Sequence, residues 1–263
     1  MIDAGLRWLA RRTLSEESRR WLRTQWMRGE WAPPVGLVRF GSLRRLTPIS
    51  REYGFDRGRP VDRWYIERFL AAHATDVAGH VLEIKDDEYT RRFGGARVTR
   101  SDVLCLEADD PRATIVGDLA AADHVASDTF DCAIVTQTLQ LIYDVRAALR
   151  TLHRILKPGG VLLATVPGMS QTSPHADWGE RWAWGFTRVS ARGLVAEAFP
   201  GGDVEVRTFG NVVSAIASLH GLAAEELRPH ELEHHDPEYQ LSIGIRARKA
   251  ARRSRSAVGG STS

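Results

Sequence analysis

The chain has 263 residues, 43% hydrophobic and 26% charged, with a formal net charge of +3, room for one α/β domain with extensions or two small domains. No apolar run approaches the ~18–20 residues of a membrane span, and the arginine- and tryptophan-rich start has no apolar h-region, so neither a span nor a signal peptide is expected. The charge is uneven, +7 over residues 1–59, −10 over 60–245 and +6 over 246–263, and an acidic centre argues against an extended nucleic-acid phosphate track.

Residues 5–28 read as a helix, with Leu6, Leu9, Leu22 and Trp26 set among arginines and Trp8, Trp21 and Trp31 adding aromatic bulk. Such a helix can lie on a membrane surface or a protein partner, or pack on its own domain. Pro33-Pro34 breaks the pattern. Residues 35–61 are loop-like and end in Tyr53-Gly54-Phe55-Asp56-Arg57-Gly58-Arg59-Pro60. A helix follows, which Asp62 can cap, with Trp64, Ile66, Phe69 and Leu70 as its apolar bulk.

Short apolar runs then mark strands at 81–84 and 132–135, the last buried on both faces of a parallel sheet. Asp144 can cap the next helix, where Leu149, Leu152 and Leu156 recur along one side. Lys157-Pro158-Gly159-Gly160 stops that helix, because proline cannot continue it and glycine tolerates positive φ. Residues 161–166 supply a further strand, and a parallel pair joined by a helix is a right-handed crossover. A helix at 190–199 and strands at 204–208 and 241–246 follow. Cys105 and Cys132 fall in or near strands and read as buried apolar-like groups in a reduced cytoplasmic setting, not as a disulfide or a catalytic thiol.

Three stretches between these elements carry polar chemistry. The loop 85–95, Lys85-Asp86-Asp87-Glu88 and onward, is charged and leaves room for about two helical turns. Residues 167–184 form a loop over the carboxyl edge of the sheet, with Trp178 and Trp182 able to stack on a ring or sugar, or, together with Trp184, to bury the loop. In the same loop His175 or Asp177 could take a proton from a hydroxyl, and these are the weak catalytic candidates. The insertion 210–238 has a helix at 212–220 and His230 and His234 at i, i+4; without a third ligand in a firm motif no metal is assigned.

Val81-Leu82-Glu83-Ile84, the Gly117-Asp118-Leu119 ending, Phe130-Asp131 and Leu156-Lys157-Pro158-Gly159-Gly160 together resemble class I S-adenosylmethionine (SAM)-dependent methyltransferases, over about residues 60–246. The resemblance implies a doubly wound, mostly parallel seven-stranded α/β sheet of Rossmann-like type, with 96–102 and 113–119 as its second and third strands, and an N-terminal helical extension. The organisation expected is an extension at 1–59, a methyltransferase-like domain at 60–246 and a disordered basic tail at 247–263. SAM is the implied cofactor. In that family a Gly-x-Gly loop follows the first strand, and this chain has neither glycine there.

By the resemblance, Glu83, Ile84, Lys85 and Asp86 stand at the methionine end, where an acid can pair with the ammonium and Lys85 can face the carboxylate. Asp102 lies nineteen positions after Glu83, near the spacing at which an acid meets a ribose diol. Asp118 and Leu119 match the adenine-edge pair, and Thr136 and Gln137 stand at the carboxyl end of the fourth strand. Tyr53, Arg57, Trp178 and Trp182 are the acceptor-binding candidates, and Tyr65 could also reach the site. The reaction implied is in-line methyl transfer to a small-molecule or glycan-type acceptor, in which a general base is optional. A methyltransferase-like protein without catalysis, acting as a binding or scaffold protein, and a nicotinamide-dependent oxidoreductase are the other readings; the absence of Gly-x-Gly-x-x-Gly counts against the last.

Overall fold

The protein is represented by a computed structural model, which describes residues 14–16, 18–22, 33–173 and 180–251. The apolar runs form strands β1 (Gly79–Ile84), β2 (Val98–Cys105), β3 (Ile115–Val116), β4 (Phe130–Thr136), β5 (Leu156–Pro167), β6 (Asp203–Phe209) and β7 (Ser242–Arg248). They make one seven-stranded sheet in the order β3-β2-β1-β4-β5-β7-β6. β1 to β5 pair in parallel, and β7 runs antiparallel to both β5 and β6. This is the mostly parallel, class I methyltransferase type of sheet that the sequence led us to expect.

Helices cover both faces. α1 (Val61–Ala72) lays Ile66, Phe69 and Leu70 on one face, against Val81, Cys132, Ile134 and Leu163. α2 (Val145–Ile155) and α3 (Arg188–Ala198) cover the other, where Leu149, Leu152, Ile155 and Val195 meet Leu162, Ala164 and Val166. Each large aliphatic side chain buried there is worth about 1.5–3 kcal/mol. Asp144 caps α2 as its position suggested, accepting from the Ala147 N–H at 2.9 Å. Asp62 does not cap α1. Pro60 takes the cap position, and the Asp62 carboxylate in the first turn accepts from the Arg63 N–H instead.

The Lys157-Pro158-Gly159-Gly160 segment is part of β5 and not a turn outside it. Phe130 pairs with Leu156 but Cys132 pairs with Val161, so the four residues form a bulge that the strand absorbs. Gly159 adopts φ 84°. A Cβ on Gly160 would sit 2.9 Å from the Lys157 carbonyl oxygen and 3.1 Å from that of Phe130. The bulge also exchanges hydrogen bonds with Lys249 just after β7.

Two elements differ in extent from the sequence expectation. β2 does not end at residue 102 but continues through Val103, Leu104 and Cys105, because Val103 and Leu104 pair with Glu83 and Ile84. The β1–β2 crossover contains no regular α-helix; a π-type turn (Thr90–Gly94) and a 3-10 turn (Gly95–Arg97) span it.

By compactness the chain divides into Met1–Leu46 and Thr47–Ser263. In the smaller unit, residues 18–22 are helical and Gly41–Leu43 form a 3-10 turn. Most of the expected amphipathic helix at 5–28, and the tail beyond 251, lie outside the described residues. In the larger unit, residues 47–60 pair with the 210–238 insertion, which contains α4 (Val212–Leu219) and α5 (Pro229–Glu233). The Ile49 and Ser50 N–H groups donate to the His220 carbonyl, Pro60 bridges to Ala223, and Arg57 forks onto Glu226. Val61 and Tyr65 share an apolar cluster with Ala217, Leu227 and Leu232.

We expect Gly160→Ala to cost about 1–3 kcal/mol, because backbone oxygens and not flexible side chains must yield to the added methyl. Urea unfolding checks this; an unchanged midpoint would show that the bulge has room to relax.

Candidate functional site

The carboxyl ends of β1 to β5 open into one cavity of about 1310 Å³, lined at β1 by Ile84 and Lys85, at β2 by Leu104 to Glu107, at β3 by Gly117 to Ala120 and at β4 by Thr136 to Thr138. Ligands bind at this edge of open α/β sheets, at the point where strand order reverses. That point lies here between β1 and β4. α1 contributes Asp62, Arg63 and Glu67, and the segment before it contributes Tyr53 and Phe55. On the opposite side stand Met169, Ser170, Arg181 and Trp182.

The first turn after β1 is built without glycine. Lys85 nevertheless adopts φ 77°, the left-handed conformation glycine would take most easily. Holding a side chain there costs on the order of 1–2 kcal/mol. What holds it is Glu83, 2% exposed. Its carboxylate accepts from the Tyr89 N–H at 3.2 Å, and from the Thr90 N–H and hydroxyl at 2.7 Å each. The chain therefore returns to β1 within six residues. The Lys85 N–H donates to Leu104 on β2, which fixes the start of the turn. Burial pushes the Glu83 carboxyl up to about 7, in spite of the hydrogen bonds from Thr90 and Tyr89, and the Asp86 charge adds to the rise. Asp86 accepts from the Glu88 N–H.

At β4 the chain also turns left-handed, with Gln137 at φ 46° and its N–H on the Thr165 carbonyl. Gln140, 2% exposed, donates its amide N–H to the Gln137 side-chain oxygen at 3.3 Å. The other amide atom of Gln140, Oε1, is buried without a partner among the described residues. The Gln140 carbonyl accepts from the Ala183 and Trp184 N–H groups, and the Trp184 indole donates to the carbonyls of Ile142 and Tyr143. These bonds lay residues 181–186 over the β4 turn. Arg181 pairs with Glu107 at 3.7 Å across the mouth.

Residues 67–194 match the family model described as a methyltransferase domain. That stretch is a methyltransferase domain. Among solved structures, the chain is similar to an S-adenosylmethionine-dependent methyltransferase from Mesorhizobium loti, 17% identical over 74% of this chain and 100% of that one, TM-score 0.48. It is likewise similar to a SAM-dependent methyltransferase from Archaeoglobus fulgidus, 11% identical over 76% of this chain and 95% of that one, TM-score 0.48. The cyclase SpnF is 16% identical over 74% of this chain and 84% of that one, TM-score 0.48. Likenesses this loose say nothing of the substrate here. No curated protein sequence matches the chain.

Within the methyltransferase domain the structure brings Glu83, Ile84, Lys85, Asp86, Asp118, Leu119, Thr136 and Gln137 to one cavity, with Tyr53 and Trp182 on its walls. Asp102 is not among the lining residues. It sits in the body of β2, opposite Leu82, with its carboxylate 2.6 Å from His80 Nε2 and 3.1 Å from Arg100. Burial works against the Asp102 charge, but the His80 and Thr114 hydrogen bonds and the Arg100 charge outweigh it and hold the carboxyl below its ordinary value. The acid at the cavity end of β2 is Glu107. Arg57 also stays off the cavity wall, committed to Glu226. Tyr65 donates its hydroxyl to the Leu232 carbonyl inside the α1–insertion cluster. His175, Asp177 and Trp178 lie outside the described residues. Among the described residues no three His, Cys, Asp or Glu side chains gather as a metal set, and no helix is long and apolar enough to cross a membrane.

The sequence reading missed Arg63 and Gln140. Gln140 had a signal, a polar residue inside the apolar run Leu139 to Ile142 that is buried all the same. Arg63 had none, since one arginine among many on an exposed-looking helix start gives no hint of what it will face.

The raised Glu83 pKa makes stability pH-dependent with a definite sign. An unfolded glutamate titrates near 4.5 and the folded one near 7, so between these values the folded protein keeps a proton that the unfolded chain has released. The contribution is therefore full below about pH 4.5 and is lost as pH rises towards 7, by up to about 3 kcal/mol. Denaturant melts of the wild type and Glu83→Gln across this window should show the wild type losing stability relative to the variant as pH rises. A constant difference would show that Glu83 ionises normally.

Proposed function

We propose that the chain is a SAM-dependent methyltransferase acting on a small-molecule or glycan-type acceptor. The observation that carries this reading is the cavity at the carboxyl edge of the methyltransferase domain, which is large and acidic. Its ≈1310 Å³ exceeds the ~300–1,000 Å³ of a pocket for one small ligand, leaving room for a cofactor and an acceptor together. Nine acidic side chains line it (Asp62, Glu67, Glu83, Asp86, Glu88, Glu107, Asp110, Asp118 and Asp144), Glu83 only partly ionised, against four basic ones (Arg59, Arg63, Lys85 and Arg181). SAM brings a sulfonium and an ammonium, so its net positive charge suits these walls. A pyrophosphate-bearing nicotinamide cofactor would meet like charge and no glycine-rich cradle.

The residues present fit SAM. Asp118 and Leu119 would hold the adenine, the carboxylate accepting from its amine; Glu107 would accept from the ribose hydroxyls, as only an acceptor can. Thr136 and Gln137 would face the centre of the cofactor from β4, beside the loop from Lys85 to Asp86. When bound, SAM supplies an electrophilic methyl group on sulfur. The chain supplies alignment, which by itself accounts for a large part of the barrier reduction in such two-reactant steps. Tyr53, Met169, Ser170 and Trp182 would receive the acceptor, Gln140 Oε1 would accept a hydrogen bond from it, and residues 181–186 would keep water from the reacting atoms. The missing glycines favour a second reading, a methyltransferase-like binding protein without turnover, because Lys85 occupies space the family leaves open.

Calorimetry with S-adenosylhomocysteine (SAH) tests the reading. Wild type should bind with a Kd of about 1–100 μM, NADH should not compete, and Asp118→Ala should weaken binding about 10-fold. Asp102→Ala should leave affinity within about 2-fold, since the removed carboxylate pairs with His80 outside the cavity. No binding to folded wild type would sink the enzyme proposal; tight binding without SAH release on any acceptor tried would move the protein to the second reading.

A further inference from the structure

A zwitterionic amino-acid end needs a cation for its carboxylate, and the loop after β1 offers no glycine-lined backbone to substitute for one. The cavity holds four basic side chains. Arg59 is paired with Glu67 at 3.1 Å and with Glu225, and Arg181 is paired with Glu107. Lys85 is exposed, a flexible point charge. Arg63 differs from all three. It is half-buried on α1, feels the charges of Asp62 and Asp86 without a carboxylate in direct ion-pair contact among the described residues, and donates from its guanidinium to the Tyr89 hydroxyl at 2.7 Å. The same guanidinium lies 5.8 Å from the Tyr89 ring centre and 5.9 Å from that of Phe55. Two aromatic rings and a hydrogen bond thus restrain it, while a guanidinium has five donors to give. Tyr89 is the residue whose N–H is held by Glu83, so the guanidinium is referenced to the β1 turn itself.

We propose that Arg63, braced by Tyr89, receives the carboxylate of the cofactor's amino-acid end, in place of the glycine-lined loop this chain lacks. The assignment rests on the SAM-binding reading above. A planar fork held in one orientation takes a carboxylate through two parallel hydrogen bonds, which a lysine cannot do. It also explains how a cavity with a large excess of acids can accept a ligand group of negative charge at one spot.

The test compares SAH with 5′-methylthioadenosine, which keeps the nucleoside and thioether but has no amino-acid end. Calorimetry on wild type, Arg63→Gln and Arg63→Lys should show SAH affinity falling about 10- to 100-fold in the glutamine variant, with methylthioadenosine affinity within about 2-fold of wild type. Arg63→Lys, which keeps the charge without the fork, should recover part of the loss, and it reads the same contrast if the glutamine variant unfolds. Equal losses for the two ligands, or no loss of SAH, would overturn the assignment while leaving the cofactor reading in place. Wild type that binds neither ligand would overturn the cofactor reading, and this assignment with it.

Discussion

The structure of the site depends on one buried carboxylate. Glu83, one residue before the end of β1, collects the Tyr89 N–H and both donors of Thr90, so the chain must turn back within a few residues of the strand. A regular helix does not fit in that space, and the π-type turn from Thr90 to Gly94 takes its place. Lys85 is drawn into a left-handed backbone as a result. The cost of that conformation is offset by bonds made in a nearly dry environment, where an unsatisfied carboxylate would cost more than the strain. Burial also keeps Glu83 near neutrality, so the same bonds that define the loop are sensitive to pH.

From that turn the rest of the cavity follows. Tyr89 is set in place by its N–H and then orients Arg63 through its hydroxyl. Opposite, the Gln140 carbonyl gathers two N–H groups from the loop after β5, and Trp184 is bonded to the same β4 turn. The walls are thus tied to strand ends on both sides of the β1–β4 switch. Residues 47–60 and the 210–238 insertion, remote in sequence, form one body against α1 through Arg57–Glu226 and the Pro60–Ala223 bridge. That body brings Tyr53 to the cavity and takes Arg57 away from it.

Polar residues on strands are ambiguous in sequence in a way that apolar ones are not. Arg100-Ser101-Asp102 looks like the end of a strand because three polar residues follow Val98 and Thr99. In the sheet they are near its amino half, and His80 on the neighbouring strand supplies the partner that lets Asp102 stay there with 5% exposure. The apolar continuation Val103 to Cys105 pairs with the last residues of β1, and the functional end of β2 moves to Glu107. Similarly, the glycines after Lys157 read as a helix stop, but the helix already ends at Ile155 and Leu156 pairs with Phe130, so that Lys157 to Gly160 form a bulge inside the strand.

By itself the sequence determined the buried strands and the amphipathic helices between them, while its resemblance to class I methyltransferases supplied the mostly parallel seven-stranded order and drew attention to Asp118 and Leu119. Buried strands and amphipathic helices are written as local periodicity, and a strand end followed by a tight turn has a local composition. Tertiary structure alone decided that Glu83 is a loop anchor, that Asp102 answers to His80, that Arg57 belongs to Glu226 and that Arg63 is left with its guanidinium turned to Tyr89. A charged side chain takes its role from the group it meets, and those partners lie from 6 to 169 residues away in the chain.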